Sequence, residues 1–123
     1  MTYDPGNVFA KILRGEIPCA KVYEDNYALA FNDIHPQAPV HVLVIPKGPY
    51  VSMDDFAANA PAETVAGFFQ AVGKVARKLG AQKDGYRLLA NHGRDANQEV
   101  PHFHVHLFAG ANLGPMLSGK QRP

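Results

Sequence analysis

The sequence predicts an α+β domain built on a mainly antiparallel sheet, and three observations carry that expectation. Apolar residues recur at steps of three and four in two places only, a short run after Asn7 and a long one after Pro61. Five short runs rich in β-branched and aromatic residues are each bounded by Gly, Pro, Asn or Asp. Their order, helix, three strands, helix, two strands, lacks the βα alternation of a doubly wound parallel sheet.

Each element has its own signal. Asp4, Pro5, Gly6 and Asn7 form a turn ending in an N-cap, after which Val8, Phe9, Ile12 and Leu13 keep helical spacing until Gly15. Ala20 to Glu24 and Tyr27 to Phe31, separated by Asp25 and Asn26, read as a hairpin. Pro36 and Pro39 keep the next segment out of a helix. His41 to Ile45 then forms a strand, closed by Pro46, Lys47, Gly48 and Pro49. Val65, Phe68, Phe69, Val72, Val75, Ala76 and Leu79 make the long helix, with Lys74, Arg77 and Lys78 near its C-terminus and Gly80 as its stop. Gly67 and Gly73 inside it each cost about 1 kcal/mol relative to Ala, so close packing is expected at both. Tyr86 to Ala90 is a fourth strand, Asn91 to Pro101 a polar loop, and His102 to Phe108 a fifth strand. The chain after Gly110 is irregular, with a flexible tail over 118–123.

Composition narrows the class of function. At 123 residues without a repeat or linker, the chain is expected to form one domain over 1–123. Twelve basic against eleven acidic residues, scattered rather than clustered, disfavour nucleic acid as a partner. The lone Cys19 can form no internal disulfide and reads as a small apolar residue. Neither a signal-peptide pattern nor a run of about 20 apolar residues is present, so a cytoplasmic protein without membrane contact is expected.

The informative anomaly is histidine: six in all, three of them at alternate positions, His102, His104 and His106. On a strand these share one face, while Phe103, Val105 and Leu107 share the other. Each neutral ring needs both a donor and an acceptor, so three rings in a row should face outward or into a cleft. At about 3.3 Å per residue, neighbouring positions stand roughly 7 Å apart. Three such rings converge poorly on one zinc ion, and a metal site would need a further ligand such as His41 or Glu99. A catalytic or phosphate site, a metal site and a polar surface ladder therefore all remain open. No nucleophile elbow surrounds Ser52 or Ser118, and neither a P-loop nor a dinucleotide-binding glycine pattern is present. Histidine is thus the nucleophile candidate. Imidazole is substantially neutral at pH 7, attacks phosphorus, and gives an adduct that water can cleave. The loop from Asn91 to Glu99 feeds into this strand with amides suited to a phosphate.

His102-Phe103-His104-Val105-His106-Leu107-Phe108 resembles the signature of the histidine triad (HIT) superfamily, in which three histidines alternate with apolar residues. The likeness extends to Val8–Pro18, Phe31–His41, Leu43–Lys47, Asn97–Val100 and Leu113–Leu117, nearly the whole chain, and is similar to the Hint branch. The resemblance implies a five-stranded antiparallel sheet with one long and one short helix, two such sheets joining in a homodimer of ten strands. It implies a purine nucleoside phosphoramidase that needs no metal or other cofactor. In that reading His104 becomes nucleotidylated, His102 and His106 flank it and His41 supports them. Asn91, Gln98 and the backbone near Val100 would hold phosphate and leaving group, and Asn32, Asn97 and Glu99 would belong to the nucleotide site. Asp33 would bind the ribose, with Val8, Phe9, Ile12, Phe31, Ile34 and Leu43 around the base. Read without the resemblance, those apolar residues are core and Asp33 is a turn residue. The triad also fits a dinucleoside polyphosphate hydrolase, or a nucleotide- or metal-binding interaction module without turnover. Animal Hint proteins carry serine where this chain has Glu99 and glycine where it has Asn97. The added carboxylate is expected to raise nearby imidazole pKa values and to favour cationic amine leaving groups.

Overall fold

A computed structural model describes residues 2–117, so the tail expected at 118–123 lies outside the described residues. The chain runs α1 (Val8–Leu13), β1 (Lys21–Glu24), β2 (Ala28–Asn32), β3 (Val40–Pro46), α2 (Met53–Asn59), α3 (Ala62–Lys78), β4 (Tyr86–Leu89), a 3-10 turn (Arg94–Ala96) and β5 (Val105–Ala109). The five strands form one sheet in the order β1-β2-β3-β5-β4, every neighbouring pair antiparallel.

Side-chain alternation gives this sheet two different faces. Ala28, Ala30, Val42, Val44, Val105 and Leu107 point to one side, where Phe56 of α2 and Phe68, Val72 and Val75 of α3 complete the main core. Leu29, Phe31, Leu43 and Ile45 point to the other side and pack with Phe9 of α1 in a smaller apolar cluster. The small residues on the first face of β2 let α3 lie close. Gly67 completes that approach, because a Cβ there would stand 2.5 Å from ring carbons of Tyr27. Gly73 is not closely packed: a Cβ there would meet only the far end of the long Arg77 side chain, at 3.4 Å.

Two further expectations are corrected. There are two short helices rather than one: α2 was not expected because Phe56 is its single buried apolar residue, leaving no period to read. Its local signal is Ser52, whose hydroxyl accepts from the Asp55 N–H at 3.2 Å, followed by Asp54 and Asp55 in the first turn. The fifth strand begins at Val105, not His102. The β3–β5 register pairs Val44 with Val105, which would set Phe103 opposite Pro46, a residue with no N–H to give the ladder. The Phe103 N–H donates instead to the Tyr50 carbonyl at 2.8 Å, and the chain leaves the sheet there. Among the described residues no helix is long and apolar enough to cross a membrane.

Candidate active site

The face that packs under α1 is the one that carries the histidines. His41 on β3 lies opposite Phe108 on β5, and His106 on β5 lies opposite Leu43. His102 and His104 occupy the irregular stretch just before β5, both edge-on to Phe9, with ring centroids 6.3 and 5.0 Å away. The rings of His104 and His106 are 5.1 Å apart, and those of His41 and His106, on adjacent strands, 5.2 Å. Phe108 stacks parallel to His106 and against His41. The expectation that all three triad rings face a cleft is corrected at His102, which is 0% exposed. Burial is tolerated because both of its ring nitrogens have partners.

Those partners fix the protons. A carbonyl can only accept and a backbone N–H can only donate, so each such contact assigns a tautomer to a neutral ring. His102 donates from Nε2 to the Pro46 carbonyl (2.9 Å), and its Nδ1 accepts from the Tyr3 hydroxyl (2.7 Å). His104 donates from Nδ1 to the main-chain carbonyl of His102 (2.7 Å), leaving the lone pair on Nε2. His41 accepts at Nδ1 from the Gln37 N–H (3.1 Å) and donates from Nε2 to His106 Nδ1 (2.9 Å). His106 therefore holds its own proton on Nε2. One ring thus offers a lone pair and the adjacent ring offers an N–H.

Burial sets the charge of the cluster. It pushes His102 down to about 4, against the opposing bond to Pro46, and His106 down to about 4, helped by the neighbouring His104 and His41 rings. His104 is also lowered by burial; its bond to the His102 carbonyl, then Asp33 and Glu99, pull the other way. Glu99 raises His104 as expected, but desolvation outweighs it and the net shift is downward. His41 is lowered by burial too, with Asp33 opposing.

The other expected site residues divide into groups. Asp33 stands with Oδ2 3.4 Å from His41 Nε2 and Oδ1 accepting from the His35 N–H, so it belongs to the imidazole cluster as well as to a turn. Phe9, Phe31 and Leu43 are buried, Ile12 is half-buried against them, and Val8 and Ile34 are exposed, Ile34 at 86%. Asn32 is exposed at the end of β2, and Asn91 is half-buried just beyond β4. Gln98 is committed to its own loop: its amide donates to the Val51 and Val100 carbonyls (2.8 and 3.1 Å) and accepts from the Gly93 N–H (3.1 Å). Asn97 sits in the left-handed region at φ 57°, and Val100 packs on the Phe9 cluster. Asn97, Gln98 and Glu99 line a groove of about 1010 Å³ together with Ser52, Asp54 and Arg94. Tyr3 and Gln37, which set two of the tautomers, were missed because no local pattern marks a partner 99 positions away or a main-chain donor.

Asp33, His41 and His106 each offer a ligand atom, all within 4.8 Å of one another, and could hold a cation. Doing so would displace the proton that joins His41 to His106.

An antiparallel sheet with three alternate histidines on and just before one strand, and a fourth on the adjacent strand, defines the histidine triad class. The chain belongs to the HIT domain family, whose model matches residues 14–113. It is 67% identical over 117 residues to an uncharacterised HIT-like protein of Azospirillum brasilense, covering 95% of this chain and 96% of that one. It is 42% identical over 113 residues to the purine nucleoside phosphoramidase of Escherichia coli K12, covering 92% and 94%. A histidine triad protein from Clostridium difficile has the same fold, with a TM-score of 0.81, 40% identity and coverage of 93% and 98%.

Proposed function

We propose that this protein hydrolyses the P–N bond of purine nucleoside 5′-phosphoramidates, giving a nucleoside monophosphate and an amine. The observation that carries the reading is the lone pair at His104 Nε2, fixed by the bond from Nδ1–H to the His102 carbonyl. The lowered pKa of His104 supports it, because a neutral ring is the nucleophilic form. His104 Nε2 attacks phosphorus; the N–P bond to the enzyme forms as the substrate P–N bond breaks. The amine, protonated from solvent, departs with the bonding pair. Water then attacks the phosphorus of the adduct, the His104 N–P bond breaks, and the proton released by water returns to solvent. His106 Nε2–H, held in place through His41, donates to a non-bridging phosphoryl oxygen in both steps. No step needs a metal.

The 42% identity to the E. coli phosphoramidase supports the substrate class. The apolar layer of Phe9, Phe31 and Leu43, edged by the exposed Val8 and Ile34, is the seat for the purine, with Ile12 behind it. Asp33 reaches the ribose, with Asn32 beside it. Asn91, Asn97, Glu99 and the backbone at Val100 contact phosphate and leaving group. Gln98 shapes that loop through its three internal bonds. Mass spectrometry after rapid quenching with a purine phosphoramidate tests the mechanism. A nucleotide on His104, lost with turnover in His104→Ala and formed unchanged in strong chelator, is expected. Turnover surviving in His104→Ala would overturn it, and faster turnover of a diadenosine polyphosphate would transfer the protein to that substrate class.

The active form is a homodimer of ten strands. β4 is an edge strand with Tyr86 and Leu88 exposed, and Phe69 of α3 is an exposed aromatic, which together offer an apolar, strand-pairing surface. Sedimentation should give the mass of two chains; a single-chain mass at micromolar concentration removes this reading.

A further inference from the structure

We propose that Tyr3 is a positioning residue for the nucleophile: its hydroxyl locks the ring of His102, and the main-chain carbonyl of His102 in turn holds His104 in the tautomer that frees Nε2. The inference rests on the reading of His104 as nucleophile.

Strand pairing starts at Val105, because Pro46 has no N–H to offer Phe103, so the ladder does not hold the backbone at His102 and His104. That stretch is held by the Phe103 N–H on the Tyr50 carbonyl, by the Phe103 ring in the main core, and by the two bonds of the His102 ring. The ring bonds are directional, and they act on the very residue whose carbonyl receives His104 Nδ1–H at 2.7 Å. His102 Nε2–H is spent on the Pro46 carbonyl, so Nδ1 must accept. The ring is fully buried, which denies that nitrogen bulk water; among the described residues the Tyr3 O–H reaches it, at 2.7 Å. The Tyr3 ring meets the imidazole edge-on, with centroids 5.6 Å apart, so the phenol is packed against the ring it serves.

Loss of that donor leaves a buried acceptor unpaired. The imidazole relieves this by rotating, which breaks the Pro46 bond and shifts the carbonyl beneath His104. The Nδ1–H of His104 then has no fixed partner, and the proton redistributes to Nε2 in part of the molecules. Tyr3→Phe removes one oxygen and keeps the edge-on packing, so it isolates the hydrogen bond. The expected result on an adenosine phosphoramidate is a fall in kcat of about tenfold, as misalignment of a reacting group produces, with KM within about twofold. In 15N spectra of histidine-labelled protein, Nδ1 of His102 should move toward the position of a free unprotonated ring nitrogen, and the two ring nitrogens of His104 should move toward each other. Unchanged kcat with unchanged His104 resonances overturns the proposal, even if the variant melts earlier. The wild-type spectrum is a test without any variant: a proton on Nδ1 of His102 overturns it. Should Tyr3→Phe fail to fold, 3-fluorotyrosine, a more acidic donor of nearly the same shape, must displace the His102 Nδ1 resonance further; no displacement counts against Tyr3. Absence of phosphoramidate turnover in the wild type would refute the proposed function, while the nitrogen spectra would still decide the part played by Tyr3.

Discussion

A neutral imidazole has one lone pair, and the main chain decides where it lies. His104 is held by a carbonyl at Nδ1 and His41 by an N–H at Nδ1, so the two rings are of opposite tautomer within one cluster. Protonation of His104 would remove its lone pair, and burial lowers its pKa, with Asp33 and Glu99 too weak to reverse the shift. The acid limb of turnover therefore belongs below the ordinary imidazole value of 6.5, further into acid than an exposed histidine would place it. A profile of kcat/KM from pH 4.5 to 8 on an uncharged phosphoramidate checks this; a limb centred at or above 6.5 would contradict the buried, neutral His104. The four histidines and Asp33 were legible in the sequence, because alternation on a strand, together with the family motif, assigns them to one site. The tautomers were not, since Tyr3, Pro46 and Gln37 enter only through the tertiary fold.

Elements with a strong period are legible in the sequence, and those held by one or two residues are not. α3 shows six buried residues at steps of one, three and four, whereas α2 has Phe56 alone and depends on its Ser52 cap. The fifth strand kept its alternation through His102, yet pairing ended at Val105 because a single proline on its partner lacks a donor. Alternation reports which face a side chain takes, not whether a ladder exists. The two glycines of α3 separate local propensity from packing in the same way. At Gly67 an added methyl meets the Tyr27 ring at 2.5 Å, and that ring is anchored by its hydroxyl on Glu63. Overpacking should cost about 1–3 kcal/mol there, more than helix propensity returns. At Gly73 the methyl meets only the flexible end of Arg77, so Gly73→Ala should gain about 0.5–1 kcal/mol. Urea midpoints of the two variants should move in opposite directions, and a matching shift would mean that α3 does not lie against Tyr27 as described.

For the molecule as a whole, the buried rings that serve the site are also a liability in acid. His102 has a folded pKa of about 4 against an ordinary 6.5, so between those values the unfolded chain binds a proton that the folded chain refuses. The slope of stability with pH is then positive, and stability falls as pH drops from 6.5 to 4. For the fully buried His102 the full difference is about 3 kcal/mol, at 1.36 kcal/mol for each pKa unit. His106, His104 and His41 are lowered as well and act in the same direction. Carboxylates enter this window only at its acid end and act in the same direction. Asp55, held low by the Val51 N–H and Asn59, and Glu24, held low by Lys47 and Lys21, give up their stabilisation only as pH falls below their ordinary 3.8 and 4.5. Unfolding free energies from urea titrations at pH 7.5 and 4.5 should therefore differ by at least about 2 kcal/mol in favour of the higher pH, a loss far above that of a domain whose histidines are exposed. Equal stability at the two values would mean that these imidazoles take up protons freely in the native state. His102 would then be neither sealed from water nor held between Tyr3 and Pro46.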